Sequence, residues 1–174
     1  MLTFFNPPLL FYCVKEPART LIVYSSKRGH AEKLARAVFE GVRRTPSRAT
    51  LAEASPEAGA DAFSMVFIGF EESAPQPIRE FVESNDWTGK KVAFFGADAG
   101  FDALSKKLGE AGAEVLGSLN AHVTGFFSFL GFGDVSEQDL IRARGFGERT
   151  TNTAFYFRVG GNKEKHRIKG YLKD

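Results

Sequence analysis

The stretch Thr20-Leu-Ile-Val-Tyr-Ser-Ser-Lys-Arg-Gly-His-Ala-Glu-Lys-Leu-Ala-Arg-Ala-Val38 decides the fold of this chain. Four β-favouring residues, Leu21, Ile22, Val23 and Tyr24, run into a small polar loop that contains Gly29. A helix-patterned segment follows at once, with Leu34, Ala35, Val38 and Val42 at i, i+1, i+4 and i+8, the spacing of one buried helical face. A buried strand that ends in such a loop and feeds a helix presents free backbone N–H groups and the positive end of the helix dipole at one point. That is the grammar of an anion site.

Outward from this unit, the same alternation repeats. Pro46 and Ser47 break the first helix, and a short strand is expected over Thr50 to Glu53. Ser55 to Ala60 reads as a loop or a rudimentary helix. Ala62 to Gly69 and Lys91 to Gly96 are near-continuous apolar runs of strand length, the pattern of strands buried on both faces of a parallel sheet. Pro75 and Pro77 open a helix carrying Ile78, Phe81 and Val82. Phe101 to Ala111 is helical, with Leu104 and Leu108 one turn apart and Gly112 as its stop signal. Ala113 to Val123 supplies a fifth strand with an irregular continuation through Gly125 to Gly133. A last helix is expected over Asp134 to Arg144, with Ser136 as its N-cap ahead of Glu137, Gln138 and Asp139. Strands and helices in this rhythm imply a doubly wound α/β sheet with right-handed crossovers.

The 174 residues suffice for one domain with a full core, here residues 20–149. Residues 1–19 read as an N-terminal arm or an extra edge strand, and 150–174 as a C-terminal extension. Thr153 to Asn162 is β-like and ends in a Gly-Gly-Asn turn, which suggests a terminal hairpin. A net charge of +2, from 23 basic and 21 acidic side chains, implies no nucleic-acid partner. The basic run Lys163 to Lys169 reads as a solvated extension. The apolar segment Met1 to Val14 holds Pro7 and Pro8, lacks a basic flank and is too short to span a bilayer, so neither a signal peptide nor membrane insertion is expected. The single cysteine, Cys13, excludes an intramolecular disulfide and fits a cytoplasmic setting. It reads better as a small hydrophobe than as a nucleophile, and His30, His122 and His166 have no metal-ligand spacing. Phe is abundant, at 18 residues; loop clusters such as Phe126, Phe127, Phe129 and Phe132 could be core, a flat-ligand site or a partner surface.

With the strand, loop and helix of residues 20–44 in view, the chain resembles the flavodoxin-like family of FMN-binding proteins over roughly residues 20 to 149. The resemblance implies a five-stranded parallel sheet of order 2-1-3-4-5, with the ligand crevice at the carboxyl ends of the first and third strands. The family's first loop reads Ser/Thr-x-Thr-Gly-x-Thr and holds the FMN phosphate. Ser25, Ser26, Lys27, Arg28, Gly29, His30 and Ala31 match it in position, with Arg28 and Ala31 where the family has threonines and His30 where Asn is frequent. The second loop, usually Gly-Ser/Thr-Pro-x-aromatic, corresponds to Gly69, Phe70, Glu71, Glu72 and Ser73; Glu71 replaces the Pro, and Phe70 is its only aromatic. Glu71 and Glu72 would either lower the reduction potential of a nearby flavin by repulsion or stand as exposed loop carboxylates. The third loop corresponds to Gly96, Ala97, Asp98, Ala99, Gly100 and Phe101, where Phe101 covers one ring face or begins the core of the next helix.

The resemblance implies an FMN-binding electron-transfer protein, or an accessory redox subunit, that docks a redox partner protein. An enzyme of this kind would be an FMN-dependent oxidoreductase, although electron transport needs no nucleophile or general base. The alternative is a flavodoxin-like interaction or oligomerisation module that has lost FMN, with the N-terminal arm or the Phe-rich segment as a homodimer surface.

Overall fold

The computed structural model describes residues 17–124 and 133–156. The expectations for the N-terminal arm, Cys13, the Phe-rich stretch and the basic tail lie outside these residues. The elements follow in the order β1 (Arg19–Tyr24), α1 (His30–Val42), β2 (Arg48–Glu53), β3 (Met65–Glu71), α2 (Gln76–Glu83), β4 (Lys91–Ala97), α3 (Asp102–Glu110), β5 (Glu114–Ala121), β6 (Val123–Thr124), β7 (Asp134–Val135) and α4 (Glu137–Phe155). The main sheet has the expected order β2-β1-β3-β4-β5 and all its pairings are parallel. β1, β3 and β4 are its buried strands, as their apolar runs require.

Each face of the sheet has its own core. Leu21, Val23, Val66, Ile68, Val92 and Phe94 alternate onto the face covered by α2 and α3, where Ile78, Phe81, Leu104 and Leu108 meet them. Ile22, Met65, Phe67, Ala93 and Phe95 point to the other face, beneath Leu34, Ala35 and Val38 of α1 and Ala143 of α4. The β4–β5 register slips between Val92 and Ala93, so that Val92 pairs with Val115 and Ala93 with Gly117. The extra residue, Leu116, forms a bulge that bends this edge strand.

Of the two readings for residues 55–60 the loop holds, with a turn at Pro56 and Glu57. One local expectation is corrected. The last helix does not end near Arg144 but runs 19 residues to Phe155, so Thr153 to Phe155 are helical rather than β-like, and the expected boundary after residue 149 falls inside α4. The reason is tertiary. Asp139, Ala143, Gly147 and Thr151, spaced four apart, form a buried stripe along the helix. A Cβ at Gly147 would lie 2.4 Å from the Val38 carbonyl oxygen, so glycine lets α4 cross α1 at backbone contact. Packing against α1 carries the helix through the β-branched Thr150, Thr151 and Thr153, whose local preference is for strand. The Ser136 cap is as expected: its side chain accepts the Asp139 N–H at 3.1 Å.

Candidate functional site at the head of helix α1

Strand register builds the site. Tyr24 pairs with Gly69, so the loops that leave β1 and β3 run side by side, tied by Ser25 N–H donating to the Gly69 carbonyl at 3.0 Å. Helix α1 starts at His30 with Gly29 as N-cap, in the left-handed region at φ 85°. A glycine cap has no side chain to accept the first free N–H groups of the helix, so they need another acceptor.

Glu71 is that acceptor. Its Oε1 receives the Ser26 hydroxyl at 2.6 Å, the His30 N–H at 2.9 Å and the Ala31 N–H at 3.0 Å. Its Oε2 receives the Arg28 N–H at 3.1 Å. One carboxylate therefore uses four donors from the first loop, and three of them converge on a single oxygen. Burial pushes the Glu71 carboxyl up. The Ser26 hydroxyl, the Ala31 and Arg28 amides and the nearby His30 outweigh it and hold its pKa below the ordinary value.

Two nearby cationic side chains, Arg28 of the loop and Lys33 of α1, pair with other carboxylates. The Arg28 guanidinium pairs with Glu72 at 3.2 Å, with both groups more than half exposed. Lys33 forms an ion pair with Asp134. His30 is 5% exposed, and its Nε2 lies 3.0 Å from the Gly133 carbonyl, which links α1 to the segment entering β7.

The second and third loops are fastened to each other. Glu72 takes a left-handed conformation at φ 58°, its N–H donates to Ala97 O at 3.1 Å, and its carbonyl accepts Gly100 N–H at 2.8 Å. Asp98, also left-handed at φ 51°, sits 2.9 Å from His122 Nδ1 and accepts the Val123 N–H at 3.3 Å. Asn120 clasps Ala99 through both its N–H and its carbonyl, at 3.1 and 2.8 Å. Such strained loop positions need surroundings that hold them, and these contacts supply the hold.

Of the residues expected to contact a cofactor, Ser26, Arg28, Gly29, His30, Ala31 and Glu71 come together around the helix head. Lys27, Ser73, Asp98 and Gly100 are exposed, and Ser25 takes part only through its backbone bond to Gly69. Phe70 and Phe101 are not presented to a ligand. Both are buried on the α2/α3 side, with ring centroids 5.3 Å apart, and Phe101 stacks on Phe94 at 5.6 Å. Gly96 belongs to the same packing, since a Cβ there would lie 2.3 Å from Phe70 O and 2.7 Å from Ala99 Cβ, whereas Ala97 is buried in the core on the α1/α4 face. Neither sequence reading of the two glutamates describes Glu71, which is a half-buried cap, whereas Glu72 is an exposed carboxylate. The roles of His122 and Asn120 were missed, because each depends on a partner more than twenty residues away in the loop after β4.

No family model and no curated protein matches the chain. Solved structures do. Oxidised flavodoxin 1 from Bacillus cereus superposes with a TM-score of 0.63 at 20% identity, over 78% of this chain and 98% of that one. Oxidised flavodoxin 2 from the same organism gives 0.62 at 20% identity, over 79% and 100%. The Flv1 flavodiiron core of Synechocystis sp. PCC6803 gives 0.64 at 18% identity, over 79% of this chain and 36% of that one. The fold is flavodoxin-like.

A flavodoxin-like fold with the expected first loop raises a direct test of fit for the FMN phosphate. The Ser26 hydroxyl and the Arg28, His30 and Ala31 amides, which such a group would need, all bond to Glu71. A phosphate placed there would meet the Glu71 carboxylate at hydrogen-bond distance, with Glu72 on the same loop, and like charges at that range repel strongly. The phosphate does not fit this loop as it is built.

Proposed function

We propose that this chain is a flavodoxin-like interaction or oligomerisation module whose first loop does not hold FMN. The observation that carries the reading is the Glu71 carboxylate bonded to the loop's own donors. The burial of Phe70 and Phe101 supports it, since neither ring is free to cover a flavin. Its partner is a protein, and the Phe-rich stretch 125–132 and the N-terminal arm are the segments proposed to meet it. Among the described residues no helix is long and apolar enough to cross a membrane.

The competing reading, an FMN-dependent electron carrier, draws on one specific observation: Gly29 and the amides after it keep a geometry that gathers donors around an oxyanion. One experiment separates them. The absorption spectrum of the purified chain, followed by titration with FMN and sedimentation analysis, should show no flavin band, no FMN-dependent change, and an oligomer or a co-purifying partner. A yellow protein, a saturable FMN response, or a colourless strict monomer overturns the proposal.

A further inference from the structure

We infer that Glu71 is an internal stand-in for a phosphate oxyanion, filling a cradle that would accept a phosphate group once the carboxylate is removed. The inference rests on the reading above and names the residue that closes the loop.

Three features separate this from an ordinary helix cap. An ordinary cap comes from the residue beside the helix, and here that residue is Gly29. The acceptor comes instead from the end of β3, some forty residues on in sequence. Secondly, the donors surround one oxygen: a hydroxyl and two successive helical amides meet at Oε1, while a further amide takes Oε2. That arrangement suits a tetrahedral oxyanion as well as a carboxylate, because each donor is neutral and selects only for negative oxygen. Thirdly, the four hydrogen bonds that hold the carboxylate come from a hydroxyl and three backbone amides, while the Arg28 guanidinium is paired with Glu72 and Lys33 of α1 with Asp134. Removing the Glu71 charge therefore leaves an anion-seeking cradle with no internal anion. An intramolecular competitor reduces apparent affinity by the fraction of molecules in which it is displaced, so its removal restores that factor.

The test compares wild type with E71A, using inorganic phosphate as the probe and chloride at equal ionic strength as the control. In E71A, phosphate should shift the amide resonances of Arg28, His30 and Ala31 saturably, and bind at least about tenfold more tightly than to wild type. Should E71A fail to fold, E71Q serves: it keeps the side-chain volume and one acceptor oxygen, and its neutral amide is open to displacement by phosphate. A folded variant whose loop amides ignore phosphate overturns the inference, as does a wild type that binds phosphate equally well. A flavin spectrum in the wild type would sink the proposed function; a colourless wild type with a phosphate-blind variant would sink this inference alone.

Discussion

Replacing Glu71 by glutamine should cost stability in a pH-dependent way. At neutral pH the carboxylate caps α1 through the His30 and Ala31 amides and also binds Ser26 and Arg28. A lost cap costs about 1 kcal/mol, and an anion at a helix N-terminus adds about 0.3–1 kcal/mol. The group is only half-buried, so solvent screening limits the rest, and about 1–2 kcal/mol is the expected difference. For a domain of this size that corresponds to a fall in Tm of about 2–8 °C. The sign follows from the carboxyl's lowered folded pKa. The charged form is the one the fold favours, so its contribution is complete above the unfolded value, near 4.5, and fades as pH drops through the folded value. Urea unfolding of wild type and E71Q at pH 7 and at about pH 3 should show the gap shrinking with acidification. Glu83, Asp86 and Asp134 also have lowered pKa values, held by Lys107, by Thr88 and by Lys33 respectively. They titrate in both proteins and cancel in the difference. A gap that is absent at pH 7, or the same at both pH values, would refute the capping argument.

Two further substitutions test the frame around the site. G147A should destabilise the chain by about 1–3 kcal/mol in urea unfolding, because its new Cβ would press on the Val38 carbonyl and force α1 and α4 apart. S136A removes the hydroxyl that receives the Asp139 N–H and should cost about 1 kcal/mol, visible as a lower urea midpoint with an unchanged slope.

The sheet was legible because its evidence is local. Leu21 to Tyr24, Met65 to Phe70 and Val92 to Phe95 are continuous apolar runs, and only a strand covered on both faces makes such runs affordable. The extent of α4 was not legible, since the stretch from Thr153 reads as β-like until α1 is placed beside Gly147. Phe70 and Phe101 illustrate a second limit. Loop-end aromatics beside glycines look the same whether they face a ligand or each other, and only the 5.3 Å packing of the two rings decides it. Glu71 had a usable signal. Once β1 and β3 are neighbours and Tyr24 is set against Gly69, a residue two past Gly69 falls beside Ser26 at the helix head.

Gly29 and Glu71 are best understood as one device. A serine or aspartate at the N-cap would have satisfied the first amides of α1 locally and left the loop indifferent to distant anions. Glycine at φ 85° does the opposite: the amides of Arg28, His30 and Ala31 all reach one carboxylate, and the N-cap itself offers no side-chain acceptor. A loop of that shape needs an oxyanion in order to leave no donor unpaired. A ligand's phosphate is one way to meet the need, and a side chain from the neighbouring strand is another. With Glu71 the requirement is met from within, so the loop can keep its shape with no ligand bound. The loop geometry alone therefore does not distinguish a loop that takes a ligand's phosphate from one closed by its own carboxylate, and residue 71 is the position that separates the two.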